Sequence, residues 1–165
     1  MTGKNNGKIG LGIDPGTRRV GWGIVLREGN ALSFVAAGIL KIDGTDDITA
    51  LEETKRGVRE LIASYHPDVL GIEKLFFAKN QKTAIAVAQA RGVILLSAQE
   101  EGLPIKEYTP NEMKLGVTGY GFADKKAVLK MVRLTLGKQD LTIIDDASDA
   151  LALAIMALSG PISGD

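Results

Sequence analysis

The chain has 165 residues, no cysteine, and 20 basic side chains against 20 acidic ones, so its formal net charge is zero. This length suits a single compact domain, and the lack of cysteine excludes disulfides, thiolate zinc sites and thiol catalysis. No apolar run is long enough to span a bilayer, and the charge balance excludes a uniformly positive surface but not a local basic cleft. We therefore expect a cytoplasmic protein.

The two ends of the sequence differ in character from the rest. Residues 1–7 are polar, rich in glycine and asparagine, and lack the apolar centre of a signal peptide. We expect a disordered tail there, a single domain over residues 8–160 and a second short tail over residues 161–165. No repeat, low-complexity segment or long linker divides the chain.

The first forty residues predict strands with short connections. Lys8–Asp14 is an apolar run that ends at an acid, and the Pro15-Gly16-Thr17 turn follows it. The apolar pattern resumes at Val20–Leu26 and Ala31–Leu40, with a turn at Gly29-Asn30 between them. Consecutive strands joined in this way indicate an antiparallel meander.

The rest of the chain alternates helices with short buried strands. Helical periodicity covers Ile48–Tyr65, and His66-Pro67 ends it. The later elements are a strand at Val69–Glu73, a helix at Asn80–Gln99, a strand at Pro104–Tyr108, a short helix at Pro110–Leu115, a glycine-broken stretch at Gly116–Gly121, and helices at Asp124–Leu136, with Asp124 as N-cap, and Asp146–Leu158. The order βββ-α-β-α-β-α-α predicts an α/β fold with a five-stranded mixed sheet, its first three strands antiparallel, flanked by helices.

Two acids close apolar strands. Asp14 ends the first strand and Glu73 ends the fourth. An acid in such a place is costly unless it is paired, hydrogen-bonded or bound to a cation, and ligand sites of open α/β sheets gather at the C-terminal ends of strands. Either acid alone is explained by a turn cap or an ion pair. If the first and fourth strands are neighbours, however, both acids face one cleft.

A third group of acids opens the last helix. Residues three or four apart share a helix face, so Asp149 faces the same way as both Asp145 and Asp146, and spacing does not choose between them. Acids also favour helix N-termini through capping and the helix dipole, which is the ordinary explanation. The rest of this helix is apolar nearly all round, which predicts a buried helix whose acids face a cleft or a metal.

Carboxylates without histidine or cysteine make an all-oxygen site. Hard octahedral cations such as Mg²⁺ and Mn²⁺ prefer that donor set, and two such ions activate water and steady the leaving oxygen during phosphodiester cleavage. The lone histidine, His66, is interpreted as structural, because it lies at a helix end before proline. The segment from Lys114 to Arg133 holds five basic residues and one acid, which indicates either a solvated helix face or a phosphate-binding surface.

These motifs together resemble the RuvC Holliday-junction resolvases. The resemblance is collinear from about Lys8 to Gly160. It rests on Gly12–Thr17 (GIDPGT), Gly21–Gly23 (GWG), Gly71–Phe77 (GIEKLFF) and Asp146–Leu151 (DASDAL), with further support from Ala78–Asn80, Gln89–Gly92 and Tyr108–Pro110. Each motif alone is weak, but the set in this order is specific.

The resemblance implies a ribonuclease-H-like fold and a homodimer that nicks two opposing strands of a four-way DNA junction symmetrically, in recombination and repair. It implies RuvA and RuvB as partners. It assigns Asp14, Glu73, Asp146 and Asp149 as catalytic metal ligands for Mg²⁺, two ions per subunit, with Mn²⁺ as a substitute. It therefore prefers Asp146 to Asp145. Some members of the family have histidine at the position of Asp146, whereas this chain keeps the site all-carboxylate.

The resemblance also implies DNA contacts. Phe76 would stack on an unpaired base, although without the resemblance Phe76 and Phe77 are more simply core residues. Lys114 and Lys125 would hold the scissile phosphate, unless they are merely solvated lysines. Arg91 lies on a helix that forms the dimer interface in the family, so we do not predict a catalytic role for it. Gly119, Tyr120 and Gly121 form a loop near Lys125 suited to following the DNA backbone.

Three other functions deserve comparison. Actin-like ATPases and sugar kinases also begin with a strand, an acid, a glycine and a threonine, but they need a second large lobe. A small ribonuclease-H-like nuclease that processes ribosomal RNA precursors shares the first motif, but we would not expect it to have the segment after Glu73 or the basic segment. A non-catalytic nucleic-acid binder would require all of these acids to cap turns by chance.

Overall fold

The computed structural model describes residues 7–75, 81–143, 145–160 and 162. In chain order its elements are β1 (Lys8–Asp14), β2 (Arg19–Glu28), β3 (Ala31–Lys41), α1 (Asp47–Tyr65), β4 (Val69–Glu73), α2 (Gln81–Glu100), β5 (Ile105–Tyr108), α3 (Pro110–Thr118), α4 (Lys125–Thr135) and α5 (Asp145–Leu158).

The strands form one mixed sheet in the order β3-β2-β1-β4-β5. Strands β1, β2 and β3 pair antiparallel, whereas β4 is parallel to β1 and β5 is parallel to β4. The predicted mixed sheet with an antiparallel start is confirmed. Strands β1 and β4 are neighbours, with Ile13 opposite Ile72, so their C-terminal acids Asp14 and Glu73 emerge at the same edge of the sheet.

Helices cover both faces of the sheet, and the alternation of side chains along β1 shows how. Leu11 and Ile13 point to one face and pack in a buried cluster that includes Val58 of α1 and Ile94 of α2. The other face packs against α5, whose residues from Ala150 to Ala154 are almost fully buried, and α3 and α4 complete that layer. The prediction of a buried last helix is confirmed.

Glycines let α5 lie directly on the sheet. A methyl group at Gly12 would overlap the carbonyl oxygen of Ala150, and one at Gly71 would overlap that of Leu153. A methyl group at Gly21 would overlap the carbonyl oxygen of Asp146. Because the helix backbone approaches the strands this closely, its N-terminal end is held at the edge where β1 and β4 end.

The third helix is longer than the sequence predicts. The glycine-broken stretch expected from Gly116 is wrong for its first half, since α3 continues to Thr118 and ends at Gly119, which has a φ of 78°. Gly116 serves packing instead, because a side chain there would overlap the sulfur of Met156. Three helices therefore follow β5, in agreement with the helices predicted at Pro110–Leu115, Asp124–Leu136 and Asp146–Leu158, although the order βββ-α-β-α-β-α-α leaves out the short one.

The other boundaries agree closely with the predictions. Asp124 is the N-cap of α4, where its Oδ1 accepts a hydrogen bond of 2.8 Å from the amide of Ala127, as expected. None of the helices in the described ranges is long and apolar enough to cross a membrane. The predicted stacking residue Phe76, with Phe77, lies outside the described residues, as do most residues of both expected tails.

Candidate active site

The site begins with the two acids that close β1 and β4. Asp14 is paired with Gly21 of the neighbouring strand β2. Glu73 is the residue after Ile72, where the parallel pairing of β4 with β1 ends. Both side chains are half-buried at the open edge of the sheet. The prediction that strand order would bring these two acids to one edge is confirmed.

The first turn of α5 adds two further carboxylates. The backbone of Asp146 lies against Gly21, the residue that pairs with Asp14. Asp149 is one turn further along the helix, and its charge raises the pKa of both Asp14 and Glu73. The structure therefore gathers the four acids Asp14, Glu73, Asp146 and Asp149 in one place.

Electrostatics in this cluster are unfavourable. Burial, together with the charges of Asp149, Glu73 and Asp146, raises the pKa of Asp14 to about 8, while Lys125 opposes the rise. Burial is also the main reason that the pKa values of Glu73 and Asp149 are raised. The cluster thus holds more negative charge than its surroundings compensate.

The donor set and the charge of this cluster suit a divalent cation. All the donors are carboxylate oxygens, and a cation would relieve the repulsion that raises the pKa of Asp14. In the part of the chain that the structure describes, no three Asp, Glu or His side chains lie close enough together to hold one ion as they stand.

Asp145 and Asp146 differ in their surroundings, which the sequence did not reveal. Asp145 is exposed and forms a long ion pair of 3.9 Å with Lys125. Asp146 is half-buried, raises the pKa of Asp14, and lies 3.7 Å from the Nε of Arg19. The structure therefore turns Asp146, rather than Asp145, toward Asp14.

The two predicted DNA-binding lysines border the same site. Lys114 and Lys125 line a cleft of 680 Å³ together with Glu73 and Asp149. Burial raises the pKa of Glu73 and of Asp14, and the charges of Lys114 and Lys125, respectively, partly oppose that rise. Positive charge therefore faces the acids across the cleft.

Arg91 is the site residue that sequence reasoning undervalued. Its side chain lines the cleft from α2, and its Nε donates a hydrogen bond of 2.8 Å to the backbone carbonyl of Glu73. Its Nη2 pairs with the carboxylate of Glu107 on β5. Arg91 thus ties α2 to the ends of β4 and β5. Its place in the Gln89–Gly92 motif indicated that Arg91 is important in the family. Nothing in that motif, however, predicts that its partner is the backbone carbonyl of Glu73.

The fold and site together define a ribonuclease-H-like α/β protein with a carboxylate cluster suited to divalent cations. The profile of the family described as "Crossover junction endodeoxyribonuclease RuvC" matches residues 10–157. The chain therefore belongs to the RuvC family, and the resemblance seen in the sequence is confirmed.

Relatives and a solved structure agree with this assignment. The chain is 47% identical to the crossover junction endodeoxyribonuclease RuvC of Chloroflexus aggregans over 146 residues, which are 88% of this chain and 89% of that protein. It is 48% identical to the RuvC of Moorella thermoacetica over 88% of this chain and 87% of that one. Thermus thermophilus RuvC, solved in complex with a Holliday junction substrate, is 29% identical, with a TM-score of 0.83 over 90% of this chain and 91% of that chain.

Proposed function

We propose that this protein is a structure-selective endodeoxyribonuclease that resolves Holliday junctions in recombination and repair. The observation that carries the proposal is the meeting of Asp14, Glu73 and the acids of α5 at one edge of the sheet, in a chain of the RuvC family. The substrate named for Thermus thermophilus RuvC supports a four-way junction as the substrate here.

The four carboxylates would hold Mg²⁺, with two ions per subunit and Mn²⁺ as a substitute. The bound ions would activate a water molecule and stabilise the leaving oxygen while a phosphodiester bond is hydrolysed. Asp14, Glu73, Asp146 and Asp149 supply the oxygen donors, and α5 fixes two of them relative to the strand ends. Protons compete for the same oxygens, since the pKa of Asp14 is raised to about 8.

The lysines of the cleft would position the DNA. Lys114 and Lys125 face the acids and are placed to hold the phosphate that is cut, where their charge also offsets the charge that develops during attack. Phe76 keeps its proposed role as a stacking residue on the family resemblance alone. These contacts fix the register of the substrate before cleavage.

Symmetric nicking requires two copies of the site, and we propose a homodimer formed through α2. Two large apolar side chains of this helix, Ile85 and Leu96, are 72% and 54% exposed. They are eleven residues apart, which is about three helical turns, so they share one face with Gly92 between them. RuvA and RuvB, and a cytoplasmic location, are proposed on the family resemblance.

The decisive experiment is to incubate the purified protein with a synthetic four-way junction and Mg²⁺, beside a duplex of the same sequence. We expect paired nicks in opposing strands of the junction and none in the duplex. The nicks should disappear when EDTA is added and in Asp14→Asn and Asp146→Asn. Asp145→Asn is the matched control, and it should keep activity within about threefold because exposed ion pairs contribute little.

Several outcomes would contradict this function. If neither Mg²⁺ nor Mn²⁺ supports junction cleavage across several core sequences, the proposal fails, and cleavage of a ribosomal RNA precursor would then favour the alternative nuclease. Equal losses in Asp145→Asn and Asp146→Asn would contradict the assignment of Asp146 within the site.

A further inference from the structure

The loop between α3 and α4 exposes two aromatic rings. Tyr120 is 61% exposed and Phe122 is 75% exposed, and their ring centroids lie 5.9 Å apart at an angle of 62°. Neither ring belongs to either of the buried clusters found in the described part of the chain. Exposed aromatic side chains of this size contribute little to folding, so this aromatic pair calls for another explanation.

The loop holds the aromatic pair in a fixed position. Thr118 Oγ1 accepts a hydrogen bond of 3.0 Å from the amide of Tyr120, and the amide of Ala123 donates one of 3.1 Å to the carbonyl of Tyr120. Ala123 itself is buried in the core. The backbone on both sides is therefore anchored while the two rings point away from the core, which is an arrangement suited to binding a flat partner.

The aromatic pair lies beside the active-site cleft. Gly121, which separates the two aromatic residues in the sequence, is next to Asn111 and Leu115, and Asn111 lines the cleft with Lys114 and Lys125. Lys125 and Lys126 follow the loop directly, and the acid before them, Asp124, is occupied as the N-cap of α4. Flat apolar faces next to the lysines of this cleft match a polyanion with aromatic bases, which is nucleic acid.

We propose that Tyr120 and Phe122 form a second DNA contact, on which an unstacked nucleobase of the bound junction is held by aromatic stacking. This inference rests on the proposed function. Bases in continuous duplex DNA present their edges but not their faces, whereas a branch point offers faces to such a ring pair. The contact would thus add affinity for branched DNA over duplex.

Binding of a metal-free four-way junction and of a matched duplex tests this contact. Tyr120→Ala/Phe122→Ala should bind the junction about 10- to 100-fold more weakly, as expected for loss of base stacking, and should bind the duplex with nearly unchanged affinity. Leu134→Ala, another exposed apolar residue at the far end of α4, is the control and should bind as the unaltered protein does. Equal melting temperatures would establish that each variant is folded.

A spectroscopic signature separates stacking from a merely structural role. Phe122→Trp should keep junction affinity, and its added fluorescence should be quenched by the junction but not by the duplex. Leu134→Trp should show no such quenching. The native Trp22 supplies the background emission to be subtracted.

Unchanged junction affinity in the double variant, equal losses on junction and duplex, or an unquenched Phe122→Trp would overturn the inference. Unaltered protein that cuts junctions, combined with a double variant that binds them normally, would leave the proposed function intact and would point to a protein partner for the aromatic pair. Failure of the unaltered protein to bind or cut junctions would instead overturn both proposals.

Discussion

Asp14 bears the strongest electrostatic penalty among the site acids. It is half-buried at the end of β1, and three other carboxylates add to the effect of burial to raise its pKa to about 8. In the unfolded chain the same group loses its proton near pH 4. Without metal, folded Asp14 therefore holds a proton at neutral pH, and the site is ready to exchange that proton for a cation.

This pKa difference predicts how stability depends on pH. Between about pH 4 and pH 8 the folded state binds one more proton at Asp14 than the unfolded state does, so the free energy of unfolding falls as pH rises through this window. Asp14→Asn removes the group. The metal-free variant should be more stable than the unaltered protein by roughly 5 kcal/mol at pH 8.5, and by only about 1 to 2 kcal/mol at pH 5.

Thermal unfolding in EDTA at both pH values measures this difference. Asp145→Asn, whose exposed carboxylate is not among the charges that raise the pKa of Asp14, should show no comparable gain. A gain for Asp14→Asn that stays constant from pH 5 to pH 8.5 would mean that the raised pKa is not its cause.

At the scale of the elements, Arg91 connects α2 to the strand that carries Glu73. Its hydrogen bond is to the backbone carbonyl of Glu73, and its charge is matched by Glu107 on β5. Its side chain is only 12% exposed, whereas that of Glu107 is 43% exposed. The guanidinium thus fixes the end of β4 through geometry, and lysine cannot supply two donors in the same fixed fork.

We expect Arg91→Lys to lower kcat for junction cleavage about 10- to 100-fold, because small displacements of a site group are costly, and to leave junction affinity unchanged. Glu107→Gln is the matched control. It weakens the ion pair but keeps the bond to Glu73, so kcat should stay near its original value. Single-turnover kinetics with separate binding measurements distinguish these effects, and a loss of affinity without a loss of kcat would contradict a positioning role.

Elements with strong local patterns were predictable from the sequence, and those set by distant contacts were not. The bounds of β1 and β4 were predicted to the residue, because each is an apolar run closed by an acid or a turn. Gly116 was interpreted as a break because helix propensity penalises glycine, but α3 continues through it, and a side chain there would meet Met156, forty residues away. The bond from Arg91 to Glu73 likewise depends on a backbone atom, which has no signature in a sequence.

The candidate site shows the same division. The positions of Asp14, Glu73 and Asp149 at strand ends and at the start of a helix predicted that these acids would lie at one site. Strand ends and helix starts can be predicted because they depend on local periodicity. Spacing left Asp145 and Asp146 open. Burial and the pairing of Asp146 with Arg19 distinguish them in the folded protein. That distinction arises from the packing of α5 against Gly21, which only the folded chain provides.

At the scale of the whole molecule, the exposed face of α2 predicts the state of assembly. Leu96→Glu places a charge among the apolar residues of the proposed interface and should convert a dimer to a monomer in analytical ultracentrifugation. Paired nicking of junctions should fall with it. Ile48→Glu changes an even more exposed residue, 76% exposed on α1, and should leave the mass unchanged. Equal masses for Leu96→Glu and the unaltered protein would exclude α2 as the interface.

A net charge of zero makes DNA affinity depend on where the charges lie. Each lysine that contacts a phosphate releases counterions, so junction affinity should fall as the salt concentration rises. In a plot of the logarithm of affinity against the logarithm of salt concentration, the slope should decrease by about one for each phosphate contact removed. Lys114→Gln and Lys125→Gln should each reduce the slope in this way, because both side chains line the cleft.

Lys130→Gln is the matched control on α4. It lies five residues beyond Lys125 and therefore on a different face of the helix, so the slope should not change. Equal slopes for all three variants would mean that these lysines form a solvated helix surface, and the cleft would then need another source of phosphate affinity.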